Sequence, residues 1–178
     1  MKELALHILD IAENSLRAGA SRIDIEIVED PAEDTVRVAI TDDGRGMDEE
    51  TLKKALDPFF TTKDVRKVGM GLSLLRQAAR RTGGDLRVQS RPGEGTAVTA
   101  EFVRSHIDRQ PLGDMASTIT AVLLQNPAIE LRYHHAIGAD GFTFDTSQVR
   151  SVLDGVPLSD PEVLQFIGNL IRERQQLT

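Results

Sequence analysis

The chain has no cysteine among its 178 residues, which excludes disulfide scaffolding, thiolate metal centres and a cysteine nucleophile. It has no apolar run of transmembrane length, and Met1-Lys2-Glu3 opens directly into an amphipathic pattern rather than a signal peptide. It also lacks a basic excess. Lys and Arg number 21 against 28 Asp and Glu, giving a net charge of -7 and a pI near 5.1. That balance disfavours nonspecific binding to nucleic acid or to a membrane surface. The remainder is ordinary for a soluble globular protein, at 40% hydrophobic and 28% charged residues, and suffices for one core or one domain with a substantial extension. The expected compartment is the cytoplasm.

What is present centres on Thr41-Asp42-Asp43-Gly44-Arg45-Gly46-Met47-Asp48. The alternating run at 36–40 reads as a half-buried strand, and it ends on a carboxylate followed by two glycines two residues apart. Glycine lets backbone approach a ligand closely or take positive φ, and a buried Asp accepts a hydrogen bond from an exocyclic amine such as that of adenine. Asp and Gly also suit any strand-exit turn, so the motif by itself leaves both readings open.

Residues 2–18 wind into a helix with Leu4, Ala5, Ile8, Leu9, Ile11, Ala12, Ser15 and Leu16 on one side. Its polar side carries Glu3, His7, Asp10, Glu13, Asn14 and Arg17, with Leu6 out of pattern; His7 is expected to be solvated or hydrogen-bonded. Asp10 and Asn14 are four residues apart and point the same way. Asn offers a neutral oxygen to a hard cation, and a carboxylate can orient a water. A hairpin is expected from 21–29 and 35–40, a short helix over 48–56, a helix over 69–82 stopped by Gly83-Gly84, and a second hairpin from 85–91 and 96–103.

This order of motifs resembles the nucleotide-binding domain of the GHKL superfamily, which unites gyrase, heat-shock chaperone, histidine kinase and mismatch-repair ATPases. Ile11-Ala12-Glu13-Asn14-Ser15-Leu16-Arg17-Ala18-Gly19-Ala20 resembles the N box, closest to its mismatch-repair form. Asp42-Asp43-Gly44-Arg45-Gly46 resembles the G1 box and Asp57-Pro58-Phe59-Phe60-Thr61-Thr62-Lys63 the F box of sensor histidine kinases. Gly69-Met70-Gly71-Leu72 resembles the G2 box, and Gly93-Glu94-Gly95-Thr96 the closing turn of that domain.

The resemblance implies an α/β (α+β) two-layer sandwich of the Bergerat, or histidine-kinase-ATPase, type that binds ATP with Mg²⁺. By position, Asn14 matches the Mg²⁺ ligand and Asp42 the residue that takes the adenine amine, with Thr96 completing that pocket. Gly44 and Gly46, with Met47 after them, match the backbone around adenine and ribose. Lys63 and Lys67 fall in the ATP lid, while Gly69, Met70, Gly71 and Leu72 present a helix N-terminus to the phosphates. Two departures stand out. Asp10 occupies the place of the general-base Glu of the ATP-hydrolysing branches, one methylene shorter, and Lys67 stands where kinases usually have a further Gly.

The expected division is an ATP-binding domain at 1–103, a linker at 104–113 and a small α/β region at 114–178. In the last, helices are expected at 114–125, from Thr146-Ser147 to Leu153, and after Ser159-Asp160-Pro161-Glu162, with a hairpin from 130–136 and 142–144 between the first two. The final helix is expected to bury Val163, Phe166, Ile167 and Leu170. His134 and His135 alternate along a strand and do not form a metal site. No phosphoacceptor hairpin is legible before the N-box helix. The reading is therefore a phosphotransferase acting on a separate protein, or a slow ATPase switch, with a noncatalytic ATP sensor in a larger assembly as the alternative. Expected partners are ATP and a protein substrate, not nucleic acid or membrane, with a homo-oligomer through the C-terminal region also entertained.

Overall fold

The computed structural model describes residues 3–57 and 70–177. Helix α1 (Leu4–Arg17) leads into the antiparallel pair β1 (Arg22–Asp30) and β2 (Thr35–Asp42), and α2 (Glu49–Leu56) and α3 (Met70–Arg81) follow. The second hairpin is β3 (Leu86–Arg91) with β4 (Gly95–Val103), after which come α4 (Met115–Gln125), β5 (Glu130–Ile137), β6 (Asp140–Asp145), α5 (Thr146–Val152) and α6 (Pro161–Leu177).

All six strands form one mixed sheet in the order β3-β4-β2-β1-β5-β6. The alternation in β1 explains its central place: Ile23, Ile25 and Ile27 are fully buried, while Asp24 and Glu26 turn to the opposite face. Val36, Val38 and Ile40 of β2 and Leu131 and Tyr133 of β5 continue the same apolar face. Helices cover that face. The other face is polar, bridged across strands by Arg37 to Glu26 at 2.7 Å and Arg132 to Asp24 at 3.8 Å. The result is a two-layer α/β sandwich.

The C-terminal strands are part of this sheet, because β5 runs parallel to β1 over eight residue pairs from Arg22–Glu130 to Glu29–Ile137. Residues 104–113 lie alongside α1. The Leu4 and Ala5 N–H groups donate to the Pro111 and Leu112 carbonyls at 3.0 and 2.8 Å. Glu3 gives α1 no side-chain cap, so this distant segment satisfies two of the donors that a helix start leaves open. Helix α4 then packs on α1, with the Thr118 hydroxyl donating to the Ala5 carbonyl at 3.1 Å, and α6 packs on α4.

This placement of α1 between α3 and α4 decides between the two environments expected for His7. His7 is not on a solvated face; it is buried and bonded through Nε2 to Gln110 at 3.0 Å, and burial holds its pKa below the usual imidazole value. Helix α6 departs from expectation. Val163, Ile167, Gly168 and Ile171 form its buried side, whereas Phe166 stands 62% exposed. Helix α5 is capped by Asp145, whose carboxylate accepts from the Ser147 N–H, rather than by Thr146 or Ser147. Thr146 is fully buried instead, its hydroxyl accepting from the Leu131 N–H. No helix among the described residues is long and apolar enough to cross a membrane.

Candidate functional site

The site lies where the C-terminal end of β2 meets α1 and β4. Asp42 and Thr96 are direct partners in the β2–β4 ladder, and Thr96 is in turn opposite Ser90 in the β3–β4 ladder. Residues opposite one another in an antiparallel pair share a face, so Asp42, Thr96 and Ser90 form one polar row beneath the helices. Ser90 Oγ lies 2.8 Å from Thr96 Oγ1 and accepts from the Met47 N–H at 2.8 Å, which ties the Gly44–Asp48 loop to the sheet.

Asp42 is 9% exposed, and each of its carboxylate oxygens has a donor. The Gly44 N–H donates to Oδ1 at 2.9 Å, and the Ser15 hydroxyl of α1 donates to Oδ2 at 2.6 Å. A carboxylate carries about four acceptor positions, so two donors orient the group and leave capacity for a third. Asp43 serves the turn itself, accepting from the Ser21 and Arg22 N–H groups at 2.8 Å, and the Ser21 hydroxyl first, with these N–H groups after it, holds its pKa below the ordinary carboxylate value.

A cavity of about 690 Å³ opens above this row. Of the residues singled out in the sequence, Asn14, Asp42, Gly46, Met47, Leu72 and Thr96 line it together. Gly44 lies beneath, and a Cβ there would come within 3.0 Å of Asp42 Oδ1 and 2.9 Å of the Ala18 Cβ. The glycine at 46 has a reason other than ligand approach: with φ at +67°, a Cβ would sit 1.9 Å from the Arg91 carbonyl oxygen. Gly95 is constrained likewise, since its Cβ would fall 2.0 Å from the Asp42 carbonyl oxygen.

Asp10 is set apart from the cavity lining. It faces the start of α3, where a Cβ on Gly71 would lie 3.1 Å from the Asp10 Cβ and 3.4 Å from Oδ2. Partial burial, reinforced by the negative charge of Glu13, raises the Asp10 pKa above the usual carboxylate value. Met70 is the first residue of α3, and Lys63, Lys67 and Gly69 lie outside the described residues.

Asn14 shares its amide oxygen with a neighbour, accepting from Arg17 Nη2 at 2.6 Å. Arg17 also stands 3.7 Å from Glu13. Among the described residues no group of three or more His, Cys, Asp and Glu is clustered as a metal centre. Asn14 offers a neutral amide oxygen, a donor that suits an ion such as Mg²⁺ that completes its shell with phosphates and water. The sequence reading missed Ser15, Ser90, Arg17 and Arg45, of which Ser15, Arg17 and Arg45 also line the cavity. Ser15 was visible only as one more residue on the apolar face of α1, and its bond to Asp42 depends on how α1 crosses β2.

Residues 2–106 match the family model described as histidine kinase-, DNA gyrase B-, and HSP90-like ATPase. Among curated proteins, the chain is similar to the sensor protein kinase FleS of Pseudomonas aeruginosa, at 36% identity over 52% of this chain and 23% of that protein. It is similar to sporulation kinase A of Bacillus subtilis at 32% over 57% of this chain and 16% of that one. Against the signal transduction histidine-protein kinase AtoS of Escherichia coli it is 38% identical, over 52% and 15% respectively. The chain spans less than a quarter of the length of these relatives. In fold it resembles the Aquifex aeolicus MutL ATPase domain complexed with ADP, with a TM-score of 0.50 and 17% identity over 86% of this chain and 70% of that one.

Proposed function

The chain belongs to the family of histidine kinase-, DNA gyrase B- and HSP90-like ATPases, and from that premise we propose that its cavity binds ATP and serves phosphoryl transfer to a separate protein. The observation that carries the nucleotide reading is Asp42. A buried carboxylate oriented by Ser15 and Gly44, in a row with Thr96 and at the base of a cavity, is built to accept from a fixed donor such as the N6 amine of adenine.

The rest of the ligand follows from charge. The start of α3 favours negative groups, so the phosphates belong there, beside Asn14 and the guanidinium of Arg17. Asn14 would hold Mg²⁺ once Arg17 releases its oxygen, and the ion, when bound, neutralises phosphate charge. Asp10 supports slow hydrolysis. It stands at the α3 start with a raised pKa, but it is a short side chain for orienting water, and a misplacement of about 1 Å can cost about 10²-fold. Transfer to a partner's hydroxyl or imidazole depends less on Asp10, because the partner positions the acceptor. The similarity to sensor kinases favours this use over a slow ATPase switch or a noncatalytic sensor.

The test is to incubate the protein with γ-labelled ATP, alone and with candidate acceptor proteins from cell extract, and to separate protein-bound from free phosphate. The expected result is label on an acceptor and little free phosphate. Rapid release of free phosphate by the protein alone would favour the ATPase reading, and binding without either product the sensor.

A further inference from the structure

Both layers of the sandwich stop short at the same edge, far from the nucleotide cavity. Strand β6 ends the sheet and is paired only with β5 among the described residues. Beside it runs α6, whose Leu170, Ile171 and Arg174 line a groove of about 350 Å³ with residues 141–144 of β6. At about 100° per residue, Phe166, Leu170 and Leu177 fall within about 40° of one another, on the flank of α6 away from its contact with α4. Phe166 is 62% and Leu177 79% exposed. An open strand edge beside an exposed apolar helix flank presents a strand and a helix for pairing at one place.

We propose that this edge is the interface of a two-fold dimer, in which β6 pairs antiparallel with β6 of a second copy and the α6 flanks meet above it. A second copy supplies one strand and one helix at once, which is what the two unfinished layers require. The side chains of β6 also select a register. Phe142 and Phe144 face the helix layer, as their partners His135 and Tyr133 do, while Gly141, Thr143 and Asp145 face the open side. A two-fold axis perpendicular to the sheet keeps the helix layers on one side, so only residues of the same face can lie opposite one another.

Two central registers satisfy this. Placing Phe142 opposite itself sets Asp140 against Phe144 of the second copy, a carboxylate in the apolar seam. Placing Thr143 opposite itself sets Phe142 against Phe144 twice and Gly141 against Asp145. Aromatic and threonine pairs then occupy the centre, and no like charges meet. The geometry points to the second register, with Thr143 on the axis. Since β5 and β1 separate β6 from β2, both cavities remain open in such a dimer.

Sedimentation equilibrium tests this on the full chain. The wild type is expected at about twice its 19.5 kDa. Thr143 is exposed, so Thr143→Lys and Thr143→Glu leave the fold intact, which circular dichroism checks, and each alone places like charges on the axis. Each is expected to be monomeric, and an equimolar mixture of the two to recover the dimer. Phe166→Asp, on the exposed helix flank, is also expected to be monomeric. A monomeric wild type overturns the proposal and leaves the edge to a strand from another protein. A Thr143→Lys variant or a Phe166→Asp variant that stays fully dimeric overturns it as well, because the interface then lies elsewhere.

Discussion

At the scale of single residues, the two carboxylates Asp42 and Asp10 differ in how their surroundings meet the negative charge. Asp42 is oriented by two donors, whereas Asp10 has its pKa raised by burial first and by Glu13 second. The sign of that second effect is specific. A carboxyl whose folded pKa lies above its unfolded value stabilises the fold below the unfolded pKa, and that stability is lost as pH rises through the folded pKa. Asp10→Asn removes the charge that is unfavourable at neutral pH. It is therefore expected to stabilise the protein at pH 7, with the gain shrinking as pH falls toward 4, as urea unfolding across that range would show. Equal or lower stability of Asp10→Asn at pH 7 would mean that the carboxylate is better compensated than its surroundings imply. Motif order in the sequence singled out some of these residues. Asn14, Asp42 and Thr96 were identified from motif order and share one cavity. Ser15, Ser90 and Arg17 were not, because their roles arise where separate elements cross and no local pattern marks such a crossing.

At the scale of elements, the cavity depends on how closely β4 begins beside the end of β2. Gly95 has φ at +88°, and a Cβ would fall 2.0 Å from the Asp42 carbonyl oxygen, so the two strand ends meet with no room for a side chain. Gly95→Ala must shift the segment that carries Asp42. Positive φ in a residue with a Cβ adds a backbone cost of about 1–3 kcal/mol. The expected outcome is lower stability by at least that amount, seen in urea unfolding, with weaker nucleotide binding. Gly93→Ala, in the same turn with φ at +80° but nothing within 4 Å of the added Cβ, bears the φ cost alone and is expected to spare the site. The hairpins and helix bounds were readable from alternation, capping and glycine placement. What those patterns left out was which side of a helix the tertiary structure covers. His7 lay on the polar side of α1, yet α1 is enclosed by neighbours, and Phe166 belonged to the apolar side of α6, yet α6 buries the adjoining stripe.

At the scale of the whole molecule, the feature least accessible to sequence was the joining of the C-terminal region to the rest. The parallel pairing of β1 with β5 connects residues about a hundred positions apart and has no turn to announce it. A chain ending at Val103 would retain every motif of the nucleotide site. It would also expose the second edge of β1, leave the α1 N-terminus without the Pro111 and Leu112 carbonyls, and uncover the α1 surface that α4 packs on. Such a chain is expected to melt well below the full-length protein and to aggregate through the freed strand edge, as thermal circular dichroism and light scattering would show. Melting of the shortened chain at the temperature of the full chain would mark residues 114–178 as a separate unit.

The most direct measurement is nucleotide affinity by titration calorimetry, with ATP and GTP offered in turn to the wild type and to Asp42→Asn. If Asp42 accepts the adenine amine, the wild type prefers ATP, because guanine presents an acceptor where adenine presents a donor. The substitution weakens a charge-assisted bond worth roughly 1.5–3 kcal/mol, so ATP affinity is expected to fall about tenfold to a hundredfold. Equal binding of ATP and GTP by the wild type, or an unchanged ATP affinity in Asp42→Asn, would contradict the assignment of the cavity.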